Sequence, residues 1–222
     1  MKKAYFCIDG FTFKRISDFY KYEHKRRSRL SVAAMETFLR YEIKRRFGWE
    51  SGIEHLDVEK HFYHPNENPE RARYRLEVEE AILKFKRALT DFGYNIHYAK
   101  YGHGNMINPK PNENIYSDWL IASQIRKYDV FALLSTQGQY SCLMRQNKLC
   151  EIPTILIGWD GACINSTGQP SLWKTDKTLI ECANAYCPLE RVLNMPNSKH
   201  PFVDIMFERL SFPRYPLNRR YG

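Results

Sequence analysis

Apolar residues along this chain fall into short continuous runs that alternate with longer stretches of three-and-four spacing. The first run, Lys3-Ala4-Tyr5-Phe6-Cys7-Ile8, stops at Asp9-Gly10. An unbroken apolar run of strand formers is the signature of a strand buried on both faces, as in a parallel sheet. Asp9 therefore falls at a strand's carboxyl end. Further strands are predicted over 57–64, 94–99, 128–135 and 152–158. Between them the spacing turns helical. Met35, Phe38, Leu39, Ile43 and Phe47 share one face of a helix that begins near Ser31 and is capped by Gly48. Val78, Ile82, Phe85, Leu89 and Phe92 do the same ahead of Gly93. Helices are also predicted over 117–126, 142–149 and 178–186, and residues 161–170 read as a polar loop. Strands that alternate with helices imply a parallel sheet with right-handed crossovers. The carboxyl ends of its strands would form the ligand crevice, and an acid followed by a glycine at such an end is well placed for chemistry.

Length and composition sharpen this picture. With 222 residues, 43% of them hydrophobic, the chain can bury a substantial core. No apolar run approaches the roughly 20 residues that span a bilayer. The amino end, Met1-Lys2-Lys3, leads straight into a strand and carries no signal-peptide pattern, so a cytoplasmic protein is expected. A net charge of +9 points to a polyanionic partner, nucleic acid before a membrane surface. That charge is concentrated after Gly10, where Lys14, Arg15, Lys25, Arg26, Arg27 and Arg29 interleave with Phe11, Phe13, Phe19, Tyr20 and Tyr22. Cations for phosphates beside rings for unpaired bases suit single-stranded RNA; a solvated basic loop is the plainer alternative.

Metal chemistry of the soft kind is not indicated. The six cysteines form no C-x-x-C pair, and Cys182 and Cys187 lack partners to complete a zinc set. Buried reduced thiols are expected. His61, His64, His97 and His103 show no helical ligand spacing, and His61 and His64 fall on opposite faces of one strand. A Gly-, Asn- and Pro-rich loop from 100 to 114, carrying Lys110, is expected to cross the carboxyl edge near Asp9.

Taken in order, Ile8-Asp9-Gly10 ending the first strand, Gly93-Tyr94 before another, Lys110 before a helix with Asp118, and Tyr128-Asp129 leading a strand that ends in Ser135 resemble the NYN domain of the PIN-like nucleases. The resemblance covers residues 3 to about 160. It implies an α/β three-layer sandwich around a parallel sheet of about five strands, with residues 1–165 as the domain. Residues 166–222 would then supply a closing helix and a basic extension that binds RNA or packs on a protein partner or a second copy. It also implies a cluster of acids holding Mg²⁺ or Mn²⁺ for ribonuclease chemistry, with Asp9 and Asp118 as metal ligands and Asp9, Asp118 and Glu113 as catalytic acids. A hard divalent ion needs oxygen ligands, and phosphodiester hydrolysis needs that ion to activate water.

The chain departs from the family where the fourth strand ends. The family's Ser-x-Asp-x-Asp-Phe reads Ser135-Thr136-Gln137-Gly138-Gln139-Tyr140 here, so two acids have become amides. Thr12 replaces an asparagine, and the acid expected before the Asp118 helix falls on Asn112 unless Glu113 takes its place. Glutamine supplies no charge, and Mg²⁺ gives up its water reluctantly. Two functions follow from this. One is an RNA-binding or complex-forming relative with impaired catalysis; the other is a divergent metal-dependent ribonuclease acting on single-stranded RNA.

Overall fold

The computed structural model describes residues 1–49, 56–65, 76–98, 112–164, 169–195 and 202–208. Most of the predicted loop, with Lys110, and residues 209–222 of the carboxyl-terminal extension lie outside the described residues.

Strand β1 (Lys3–Asp9) is buried from Ala4 onward and forms the middle of the sheet. It pairs in parallel with β3 (Asp57–Tyr63) on one flank and with β5 (Val130–Leu134) on the other. Beyond β3 lies β4 (Tyr94–His97); beyond β5 lie β6 (Thr154–Gly158) and β9 (Ala185–Pro188). The order is β4-β3-β1-β5-β6-β9, all parallel, so the direction in which strands are added reverses between β1 and β5. The side chains of β1 alternate: Ala4, Phe6 and Ile8 enter one core cluster, and Tyr5 and Cys7 the other. The first cluster is covered by α1 (Gly10–Asp18), α2 (Val32–Phe47), α3 (Leu76–Asp91) and α7 (Leu189–Leu193). The second is covered by α4 (Asn114–Gln124), α5 (Ser141–Leu149) and α6 (Lys177–Cys182). This is the expected three-layer α/β sandwich.

The expected strands and the helices α2 to α5 are present, within a few residues at their ends. Gly48 and Gly93 end α2 and α3 in the left-handed conformation that favours glycine. Other parts differ from expectation. The stretch after Gly10, read as a basic surface segment, is helix α1 followed by a π-helical turn over Phe19–Glu23. Phe13, Ile16 and Tyr20 are buried at helical spacing, and they determine the outcome because each removes apolar area from water. The predicted helix over 178–186 ends at Cys182, and its last residues instead open β9, a sixth central strand. Asn184 fixes that change, since its side-chain oxygen accepts from the Thr154 amide at 3.0 Å and from the Thr154 hydroxyl at 2.9 Å. Residues 161–170, read as a loop, hold most of an antiparallel hairpin, β7 (Gly161–Ile164) with β8 (Pro170–Trp173). The strand β9, which follows residue 165, belongs to the central sheet. Near the carboxyl end, β10 (Phe207–Glu208) pairs with β2 (Arg29–Leu30), which lies between α1 and α2.

Candidate functional site

Strand order reverses between β1 and β5, and the carboxyl edge at such a reversal is the usual ligand position in open α/β sheets. Asp9 stands there, fully buried. One carboxylate oxygen accepts from the Phe11 amide at 3.1 Å, which makes Asp9 the N-cap of α1. The other oxygen accepts from the Thr12 hydroxyl at 2.8 Å and the Ser135 hydroxyl at 2.9 Å. Burial is the larger influence and lifts the Asp9 carboxyl to about 6, against these three hydrogen bonds, which favour the charged form. Gly10 serves close approach more than conformational freedom, because a Cβ there would strike the Tyr63 carbonyl and Pro65. Over this floor lies an aromatic and cationic rim. The Trp173 indole N–H donates to the Thr136 hydroxyl at 2.8 Å, and the Arg15 guanidinium lies 4.2 Å from the centre of the Trp173 ring, with Phe11 alongside.

The opposite part of the same edge is organised around Asp118 on α4. Register places Asp9, Tyr63 and His97 side by side at the ends of β1, β3 and β4. The Tyr63 hydroxyl donates to Asp118 at 3.0 Å, and His97 Nδ1 lies 3.0 Å from the same oxygen. His97 Nε2 meets His61 Nδ1 at 2.9 Å, and His61 Nε2 faces Glu59 at 3.3 Å. Burial depresses both imidazoles, His61 to about 4, while Asp118 pulls His97 the other way. Two neutral rings bring two N–H groups to the three gaps of this line, so one gap faces acceptor to acceptor. That accounts for His61 Nε2 being buried without a hydrogen bond. One added proton would satisfy all three gaps, but the burial that depresses both imidazoles opposes it.

Asp9 and Asp118 thus face the same layer from the same edge, and each is committed elsewhere. Asn112 is fully buried: its amide donates to the His64 and His97 carbonyls at 3.0 and 3.1 Å, and its oxygen accepts from the Asn114 amide at 3.0 Å. It ties the ends of β3 and β4 to α4, which a carboxylate could not do. Glu113 is exposed at the start of α4. The Gln137 side chain turns to the Thr136 hydroxyl at 3.4 Å, and Gln139 is exposed, offering its backbone carbonyl to the Tyr116 hydroxyl. Among the described residues no group of three or more histidine, cysteine or acidic side chains gathers around one point. Mg²⁺ or Mn²⁺ would need converging oxygens, and in this arrangement the Asp9 oxygens already carry three donors.

The basic residues have separate local partners. Arg15 lies over Trp173, Arg26 over the Phe207 ring at 5.0 Å, and Arg29 is in β2 opposite Glu208. Lys14 pairs with Asp18 at 3.1 Å, Arg27 donates to the Tyr22 carbonyl, and Lys25 is exposed.

No protein-family model matches the chain, and no curated protein matches it. Among solved structures it is similar to VPA0982, a protein of unknown function from Vibrio parahaemolyticus RIMD 2210633. The two are 16% identical with a TM-score of 0.49, over 85% of this chain and 93% of that one.

Sequence reasoning did not anticipate Trp173, Thr136, Tyr63 or the His61–His97 contact at this edge. Tyr63 ends β3, which flanks β1, and His97 ends β4, the next strand out, so each comes to this edge through cross-strand register. Trp173 arrives at the end of β8, just beyond the stretch expected to be a loop.

Proposed function

We propose that the protein binds single-stranded RNA across the carboxyl edge of its sheet and is a catalytically impaired relative of the metal-dependent PIN-like nucleases. The observation that carries this reading is the division of labour at the β1–β5 edge. Asp9, the acid that would anchor a metal, is spent as a helix cap under three donors, while Arg15 and Trp173 above it offer a cation and a ring. A guanidinium stacked on an indole is held flat without losing its charge, which suits a phosphate beside a stacked base. Lys14, Lys25 and Arg26 add further cations from the same stretch of chain, and the net charge of +9 supplies the longer-range attraction.

The test is affinity for a labelled single-stranded RNA measured against salt. Affinity should fall steeply as salt rises, and replacing Arg15, Lys25 and Arg26 together by Ala should reduce the log–log slope by about 2, from roughly 0.7 per phosphate contact. An unchanged slope would refute the interface. The ribonuclease reading keeps one supporting observation: Asp9 and Asp118 face the same layer at one edge. Mn²⁺-dependent cleavage of the RNA that disappears in Asp9→Asn would establish it in place of the impaired one.

A further inference from the structure

Away from this edge, the far end of α2 meets α7 and the edge strand β9 around a cavity of about 240 Å³. Arg45, Arg46 and Arg191 line it, with Glu42 as the one acid; its other walls are Tyr41, Cys187, Pro188, Val192 and Met195. The lining therefore carries two positive charges more than negative ones (Arg45, Arg46 and Arg191 against Glu42). Glu42 is 2% exposed. One of its oxygens accepts from Arg45 Nη2 and Arg46 Nε, both at 2.8 Å, and the other from Arg45 Nε at 3.2 Å. Burial pushes the Glu42 carboxyl up, but the hydrogen bonds from Arg45 and Arg46 prevail and hold it below its ordinary value. Glu42 is thus a fixed anion that orients two guanidiniums. Arg46 is held a second time by donating to the Tyr186 carbonyl at 2.7 Å. Burial pushes the Cys187 thiol up to about 12, so it stays neutral and adds no negative charge to the wall.

We propose that this cavity takes a phosphate monoester. Planar guanidiniums held in place recognise phosphate oxygens in pairs, and a dianion matches a surplus of two charges. The size agrees: sites for whole small molecules run to roughly 300–1,000 Å³, so this one suits a single group with the rest of its molecule outside. On the RNA reading given above, the phosphate is the phosphorylated end of the strand; a small phosphorylated molecule is the other source of the same chemistry. The proposal rests on the RNA reading only for that source.

The experiment compares one RNA carrying either a 5′-phosphate or a 5′-hydroxyl, with inorganic phosphate as a separate probe followed by thermal shift. The proteins are the full chain, Arg45→Gln/Arg191→Gln, and a control, Arg126→Gln/Lys148→Gln, that loses equal charge elsewhere. The phosphorylated strand should bind about tenfold more tightly, and the preference should vanish in the first variant and survive in the control. Stabilisation by inorganic phosphate that the first variant loses, without RNA binding, would support the cavity and overturn the RNA reading. Salt-dependent RNA binding that ignores the end group, with no phosphate stabilisation, would overturn the cavity and leave the RNA reading intact.

Discussion

Two carboxylates stand at one sheet edge, on ends of elements that pack side by side, and they have opposite surroundings. Asp9 is dry, met by two hydroxyls and a backbone amide, and its carboxyl is lifted to about 6. Asp118 keeps 29% of its side chain exposed and is met by a phenol and an imidazole that can itself carry charge. Position in the fold brings both to one edge of the sheet. The donors around each decide what it is free to do. An acid already holding three donors has one lone pair left to offer a cation, whereas Asp118 shares a single oxygen between Tyr63 and His97.

The sharpest way to break this comparison is through Asn112, which joins the two regions. If it were merely a lost metal ligand, Asn112→Asp would be tolerated and would bring Mn²⁺ binding. With its amide donating to two carbonyls in a fully buried place, the carboxylate would stand uncompensated, at a cost of about 3–5 kcal/mol. Urea unfolding with and without Mn²⁺ distinguishes these outcomes; an undiminished midpoint would overturn the tie.

A somewhat smaller effect is expected at Asp9. Its folded value of about 6 lies above the ordinary 3.8. The stability associated with its proton is therefore complete below that ordinary value and is lost as pH rises through the folded one. Asn keeps the cap and cannot ionise. Relative to Asp9→Asn, the unaltered protein should lose about 3 kcal/mol between acid and neutral pH. A stability difference that stays flat across that window would mean the buried carboxylate is not penalised.

The smallest effect is at Asp118. Its charge opposes the burial that depresses His97. In Asp118→Asn the His97 ring should titrate at lower pH still, as read by its imidazole resonances in NMR. A shift in the other direction would show that the line through His61 and Glu59 governs His97 instead.

Most of the scaffold was legible because burial writes a period into sequence: β1, β5 and α2 each carry an apolar pattern of one kind only. The helix α1 was not, because Lys14 and Arg15 between Phe13 and Ile16 drew attention to charge where the buried positions decide the structure. β9 was missed since Ala185-Tyr186-Cys187-Pro188 continues a helical pattern, and only the Asn184 contact to Thr154, 30 residues away, ends it. At the site, Asp9 and Asp118 were visible as acids at strand and helix ends. Their commitments were not, since Tyr63 and His97 meet Asp118 through cross-strand register, and that cannot be read from the spacing along one strand.

The placement of β1 also bears on how the chain is made. The central strand β1 precedes both of its neighbours in the chain, and its second flank waits for β5, which begins 127 residues after Lys3. At ordinary synthesis rates of about 5–20 residues per second, that partner follows roughly 6–25 s later. Through that interval a strand rich in Tyr, Phe and Ile has one open edge, a template for pairing with other chains. Until β5 arrives, the nascent protein depends on chaperones or on the early β1–β3 unit with α2 to keep that edge from aggregating.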